Sequence, residues 1–175
     1  MYNSKYGFTK KYVDWLVPEL NADAYPVKKI KALMLDNYDV IILGSGLFGG
    51  NITGKDILIS NAEKLKNKKL LIFTCGIADV ENEESMKEIN SKILSDMSEE
   101  LIPRLKIFNL QGGINYQKLS FKHRFLMKFM YKALSHKASS DLTTDNIKFL
   151  ESYGKNSDYT DKKNITGIID YVKQV

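Results

Sequence analysis

Tyr38-Asp-Val-Ile-Ile-Leu-Gly-Ser-Gly46 is the stretch on which the fold turns. Val40–Leu43 is an unbroken β-branched and apolar run, so both alternating faces are apolar, as in a strand covered on both sides, and the run stops at Gly44. Lys69-Leu-Leu-Ile-Phe-Thr74 repeats the pattern and closes in Cys75-Gly76. Lys106-Ile-Phe-Asn-Leu110 repeats it again and closes in Gly112-Gly113. Helical patterns over 54–66 and 82–100 separate these runs. Strand and helix in alternation, joined by right-handed crossovers, give an α/β fold: a doubly wound parallel sheet with helices on both faces.

Upstream, Val13, Leu16, Val17 and Leu20 follow helical spacing, so residues 9–20 read as a first helix that Pro18 helps to end. Asn21–Tyr25 reads as a short strand and Val27–Asp36 as a short helix or turn. Ahead of the first helix lies the small polar loop Ser4-Lys-Tyr-Gly-Phe-Thr9. A loop running into a helix N-terminus cradles anions, because free N–H groups point outward there. Only Met1-Tyr2-Asn3 precede it, where a strand takes about five or six residues. The first strand therefore reads as truncated, which leaves neighbouring backbone groups unpaired at about 1–3 kcal/mol each.

In a doubly wound sheet, ligands bind beyond the carboxyl ends of the strands. Three loops meet there: Ser4–Thr9, Gly44–Gly50 and Thr74–Ile77. Ser4, Thr9 and the backbone around Gly7 offer hydroxyls and N–H groups to a phosphate, aided by the helix dipole. Glycines in 44–50 permit close approach of a flat ring, with Leu47 and Phe48 as its wall. Thr74-Cys-Gly-Ile77 offers backbone groups to the ring's polar edge. Together these suit flavin mononucleotide (FMN). Gly44-Ser-Gly-Leu-Phe-Gly has dinucleotide-loop spacing, but the helix expected from Thr53 does not start at its third glycine, and no Gly-Lys-Ser/Thr follows a glycine-rich loop.

Ser4-Lys-Tyr-Gly-Phe-Thr-Lys-Lys-Tyr12, Tyr38–Gly46, Gly112-Gly-Ile-Asn-Tyr116 and Tyr159-Thr-Asp161 resemble the flavodoxin-domain family that includes menaquinone-dependent protoporphyrinogen oxidase. The resemblance spans nearly the whole chain. It implies a flavodoxin-like sheet of order 2-1-3-4-5 and FMN as the redox cofactor. It also implies that Ser4, Lys5, Tyr6, Gly7, Phe8 and Thr9 hold the phosphate. Ser45, Gly46, Leu47, Phe48 and Gly49, with Thr74, Cys75, Gly76 and Ile77, would then flank the ring. The loop departs from the usual Thr/Ser-x-Thr-Gly-x-Thr by carrying Tyr6 at the third position.

The chain reads as a single domain, 1–175, with an insert at 111–160 before the last helix. Leu119–Leu134 reads as a helix in which Phe125, Phe129 and Ala133 run beside Arg124, Lys128 and Lys132. Such a helix either packs its apolar side into the core or covers a quinone- or porphyrinogen-type substrate; residues 118–134 also suit peripheral contact with an anionic membrane. A polar segment, 135–160, follows, and Asn164–Val175 reads as the closing helix, capped by Thr160 or Asp161.

The remaining composition narrows the function classes. A net charge of +5 is mild and selects no partner. Cys75 is the single cysteine, which fits a reducing cytoplasmic setting. No apolar run has the length of a membrane span and no signal-peptide pattern opens the chain. His123 and His136 are not spaced for a metal and read as surface residues, His123 with a role toward an anionic group. Glu81, Glu83, Glu84 and Glu88 read as a solvated helix face, and no nucleic-acid motif accompanies the basic stripe. Three functions stay open: an FMN electron carrier, an oxidase of a porphyrinogen-like substrate using a quinone, and a binding module that has lost its flavin.

Overall fold

A computed structural model describes residues 1–174. β1 (Tyr2–Asn3) leads through the Ser4–Gly7 loop into α1 (Phe8–Leu20), whose Tyr12, Val13 and Leu16 are buried on one face. Pro18 lies within the last turn, and the helix ends two residues later at Leu20, followed by Asn21, which adopts the left-handed conformation at φ +47°. Two 3-10 turns, Val27–Lys29 and Ala32–Asn37, occupy the segment expected to be a short helix or turn.

β2 (Val40–Phe48) is longer than its sequence pattern suggests. It does not stop at Gly44, because the neighbouring strand keeps pairing with it as far as Gly46↔Cys75. Gly44 is required there for a packing reason: a Cβ would lie 2.3 Å from the Phe73 ring. Gly49 and Gly50, with φ +57° and +74°, form the turn into β3 (Asn51–Ile52), which pairs back on Leu47 and Phe48. The helix expected over 54–66 is instead two single turns, α2 (Asp56–Ile59) and α3 (Ala62–Leu65). Asn61 divides them: its φ of −121° leaves the helix, and its side-chain amide donates to Ile57 O at 2.8 Å.

β4 (Lys69–Gly76) follows, then α4 (Glu83–Ser95), which starts where Asn82 Oδ1 accepts the Ser85 N–H and ends five residues before the expected 100. β5 (Leu105–Gln111) completes the sheet, whose path is β1-β2-β4-β5, parallel throughout. On its other side Tyr2 bridges Pro26 in parallel and donates to Tyr25 O at 2.9 Å. The spatial order is thus 2-1-3-4-5, with the second strand reduced to one bridge at Pro26 in place of a strand over 21–25. Two causes act together: β1 offers two residues to pair, and Pro26 has no N–H to donate.

Gly113–Ile114 forms β6, followed by α5 (Phe121–Ser135), α6 (Thr144–Ser152) and β7 (Ser157–Asp158). β6 and β7 pair antiparallel and close this segment at its base. α6 lies in the stretch that reads as merely polar; it starts where Thr143 Oγ1 accepts the Asn146 N–H, and it buries Phe149. Asp161 caps the final element by accepting the Lys163 N–H at 2.9 Å, and α7 (Thr166–Lys173) follows a 3-10 turn. Val175, the expected end of that helix, lies outside the described residues.

Two apolar layers sandwich the sheet. On one side Tyr12, Leu16, Ile165 and Ile168 of α1 and the α7 region pack on Leu71, Phe73 and Leu110. On the other, Leu58, Leu65 and Ile93 of α2, α3 and α4 pack on Ile41, Leu43, Leu70 and Ile72. Alternate residues of one strand feed opposite layers, which is why the strand sequences are apolar throughout. No helix of the described residues is long and apolar enough to cross a membrane.

Candidate functional site

The carboxyl ends of the parallel strands open into one cleft of about 790 Å3, walled on its far side by α5 and α6. That volume lies within the range of small-molecule and cofactor sites.

The first wall is the loop before α1. Ser4, Lys5, Tyr6, Phe8 and Thr9 line the cleft; Gly7 does not, and its φ of +99° serves the turn into the helix. Ser4 Oγ accepts the Lys10 N–H at 3.2 Å, tying the loop to the first helical turn. Lys5 Nζ donates to Ser120 Oγ at 3.3 Å. Thr9 is buried and its hydroxyl meets the Cys75 thiol, so it links α1 to β4.

Gly46, Leu47, Phe48 and Gly49 form the second wall. Ser45 stands apart from them: it is fully buried, its Oγ accepts the Thr53 N–H and donates to Thr53 O, both at 2.9 Å, and it braces the β2–β3 turn. Gly46 leaves room for the Phe48 ring, which a Cβ would approach to 2.8 Å.

Cys75, Gly76 and Ile77 form the third wall. Thr74 points away from it, donating to Asn109 Oδ1 at 2.8 Å, while Asn109 Nδ2 donates to Asn90 Oδ1 on α4 at 2.9 Å. Burial pushes the Cys75 thiol up to about 12, partly offset by its Thr9 hydrogen bond. The thiol here is therefore neutral and packed, with no activated nucleophile at this wall.

The fourth wall is α5, the helix whose sequence offers either core packing or a cover for a ligand; none of its residues is fully buried, and it lines the cleft. His123 of α5 does not sit on the outer surface; it lines the cleft, with Nδ1 2.7 Å from the Tyr6 hydroxyl and its ring centroid 4.8 Å from that of Phe48. Burial, and then the charge of Lys5, hold its imidazole below the ordinary range. Ion pairs fasten the segment at two further points, Lys148 to Asp79 and Lys11 to Asp158. Tyr131 and Tyr153 stack at 4.1 Å beside them. The helical spacing of His123 with Met127 and Tyr131 is the signal that sets His123 on the inward side of that helix.

This arrangement brings hydroxyls, a lysine and a helix N-terminus to one end of the cleft. Leu47, Phe48, Ile77, Met127 and Leu134 give apolar wall beyond them, edged by the glycine backbone of 46, 49 and 76, and Asp79, Glu88, Glu151 and Lys155 add charged groups farther along the cleft. It can take up an anionic group and a flat ring together, which is the demand a flavin nucleotide makes.

Comparison with known proteins agrees with the geometry. Over 114 aligned residues the chain is 29% identical to an uncharacterized protein of Methanocaldococcus jannaschii, covering 61% of this chain and 76% of that one. Residues 1–141 match the flavodoxin domain, a family whose members usually bind flavin. With the parallel sheet, its strand order and the cleft at the strand ends, that match places the chain in the flavodoxin domain family.

Proposed function

We propose that this protein binds FMN noncovalently and passes electrons between a reduced donor and an acceptor such as a quinone. The observation that carries the reading is the convergence of the loop before α1 and the carboxyl ends of β2 and β4 on one cleft of about 790 Å3, where Ser4, Lys5 and the start of α1 lie beside the apolar side chains of Leu47, Phe48 and Ile77. Ser4 Oγ, Lys5 Nζ and the first-turn N–H groups would hold the phosphate. Leu47, Phe48 and Ile77 would wall the ring, and the backbone of Gly46, Gly49 and Gly76 would approach its edge. FMN, when bound, supplies the redox chemistry, and the chain sets its access and surroundings. Residue 9 would act at one remove, since the Thr9 hydroxyl is engaged with Cys75.

A second reading, oxidation of a porphyrinogen-type substrate, is favoured by one feature. Met127, Met130 and Leu134 of α5 give the cleft an extra apolar wall, with Lys5 and Lys155 available to acidic groups. Titration of the chain with FMN tests the common ground. Saturable fluorescence quenching with a shifted absorbance spectrum supports both readings, and turnover of porphyrinogen against quinone then separates them. Absence of quenching by a chain with a native circular dichroism spectrum would leave a flavodoxin scaffold without flavin.

A further inference from the structure

Helix α5 has two faces, and one of them meets the rest of the protein. His123, Met127, Tyr131 and Leu134 are half-buried and turn inward. Phe121, Phe125 and Phe129 recur at every fourth position and are 85%, 65% and 64% exposed. At 3.6 residues per turn the phenylalanine stripe stands about 180° from the inward one. Leu126 and Met130 line the cleft instead, so the outer side is the arc of three exposed phenylalanines with lysines set among them, and exposed aromatic side chains in such a row mark an interaction surface.

The charges around the arc have one sign. Lys122, Lys128 and Lys132 are exposed, and none of them is ion-paired among the described residues. The chain has no Asp or Glu between 111 and 140. A second copy of the same face would bring lysine against lysine. A surface that is apolar beneath and anionic above matches both features at once.

We propose that the outer face of α5 docks on a lipid bilayer carrying anionic headgroups. Phe121, Phe125 and Phe129 enter the headgroup–acyl boundary, and the three lysines extend back to the phosphate level. The inner face of the same helix lines the cleft. A docked molecule therefore holds the cleft within about one helix diameter, roughly 10 Å, of the lipid. The docking stands independently of flavin binding.

Sedimentation of the full chain with vesicles tests it, comparing phosphatidylcholine alone with phosphatidylcholine containing about one third phosphatidylglycerol. The chain is expected to sediment with the anionic vesicles and to be released by added salt. Phe121→Ser/Phe125→Ser/Phe129→Ser should weaken partitioning about a hundredfold. Lys122→Gln/Lys128→Gln/Lys132→Gln should weaken it about fivefold per lysine. The exposed positions predict native circular dichroism for both variants; should the triple phenylalanine variant fail to fold, Phe121→Ser alone should still lose several-fold in partitioning. A chain that stays in the supernatant with anionic vesicles overturns the proposal, as does a phenylalanine variant that binds like the parent. A concentration-dependent dimer in the absence of lipid, abolished by the phenylalanine substitutions, would assign the face to a second copy and overturn it too.

Discussion

The Tyr6 hydroxyl lies 2.7 Å from His123 Nδ1, joining groups 117 residues apart and fastening the loop before α1 to the helix that walls the cleft. The imidazole tautomer sets which of the two donates, and the phenolic O–H also reaches Ser120 Oγ at 3.4 Å. The Ser120 N–H donates to the same phenolic oxygen at 3.2 Å. The Tyr6 hydroxyl thus ties the loop to both Ser120 and His123 at the start of α5.

The surroundings of His123 predict a pH effect. His123 is held below its ordinary value of 6.5 by burial first and by Lys5 second. Above 6.5 its contribution to docking is fully present. As pH falls through 6.5, the undocked state takes up the proton first, so docking weakens until the lowered docked value is passed. Amide exchange in residues 121–135, corrected for intrinsic rates, should show less protection at pH about 5.5 than at about 7.5. His123→Phe should remove the difference. Equal protection at both pH values in the parent chain would show that His123 is not the fastener.

Tyr12 makes a second long-range tie. It is fully buried, donates to Gln111 O at 2.6 Å, and its oxygen receives Asp161 N–H and Asn164 Nδ2 at 3.4 Å each. Tyr12→Phe keeps the ring and strands these partners, so it should cost about 1–3 kcal/mol. Urea unfolding should show a lower midpoint at an unchanged m-value.

Gly113 admits no side chain. A Cβ there would sit 2.2 Å from Ser157 O and 2.7 Å from the Phe8 ring. Gly113→Ala should push β6 from β7, lower stability by about 1–3 kcal/mol and speed proteolysis between 114 and 157. Wild-type proteolysis and stability would show that the hairpin shifts without cost.

Burial holds the Cys75 thiol up to about 12 against a usual 9. The folded chain should react with an aromatic disulfide reagent at pH about 8 far more slowly than the urea-unfolded chain. The same shift contributes stability that is complete below about 9 and is lost as pH rises toward 12, because the unfolded thiol ionises first. Rapid stoichiometric labelling of the folded chain would mean that the cleft wall at Cys75 opens.

Phosphate recognition by the Ser4–Thr9 loop would favour FMN over riboflavin by about a hundredfold or more. Ser4→Ala should weaken FMN about five- to tenfold and leave riboflavin unchanged. Equal affinity for both flavins would place the phosphate elsewhere.

Periodicity and turn chemistry along the chain determined the parallel α/β plan. Val40–Leu43 and Leu70–Phe73 are apolar at every position because each strand feeds both core layers, and that requirement is local enough to read. The loop before α1 was legible for the same reason, since helix starts carry their own residues, whereas most of 44–50 and 74–77, expected as loops, belongs to β2 and β4. Tertiary structure decided what pairing and packing decide. β2 runs through Gly44 to Phe48 because β4 pairs with it as far as Gly46 and β3 folds back on Leu47 and Phe48, and Ser45 and Thr74 turn from the cleft because Thr53 and Asn109 hold them. The helix over 54–66 broke where Asn61 found Ile57 O. The role of His123 depended on contacts with Tyr6 and Phe48, residues distant in the chain whose approach no local spacing encodes.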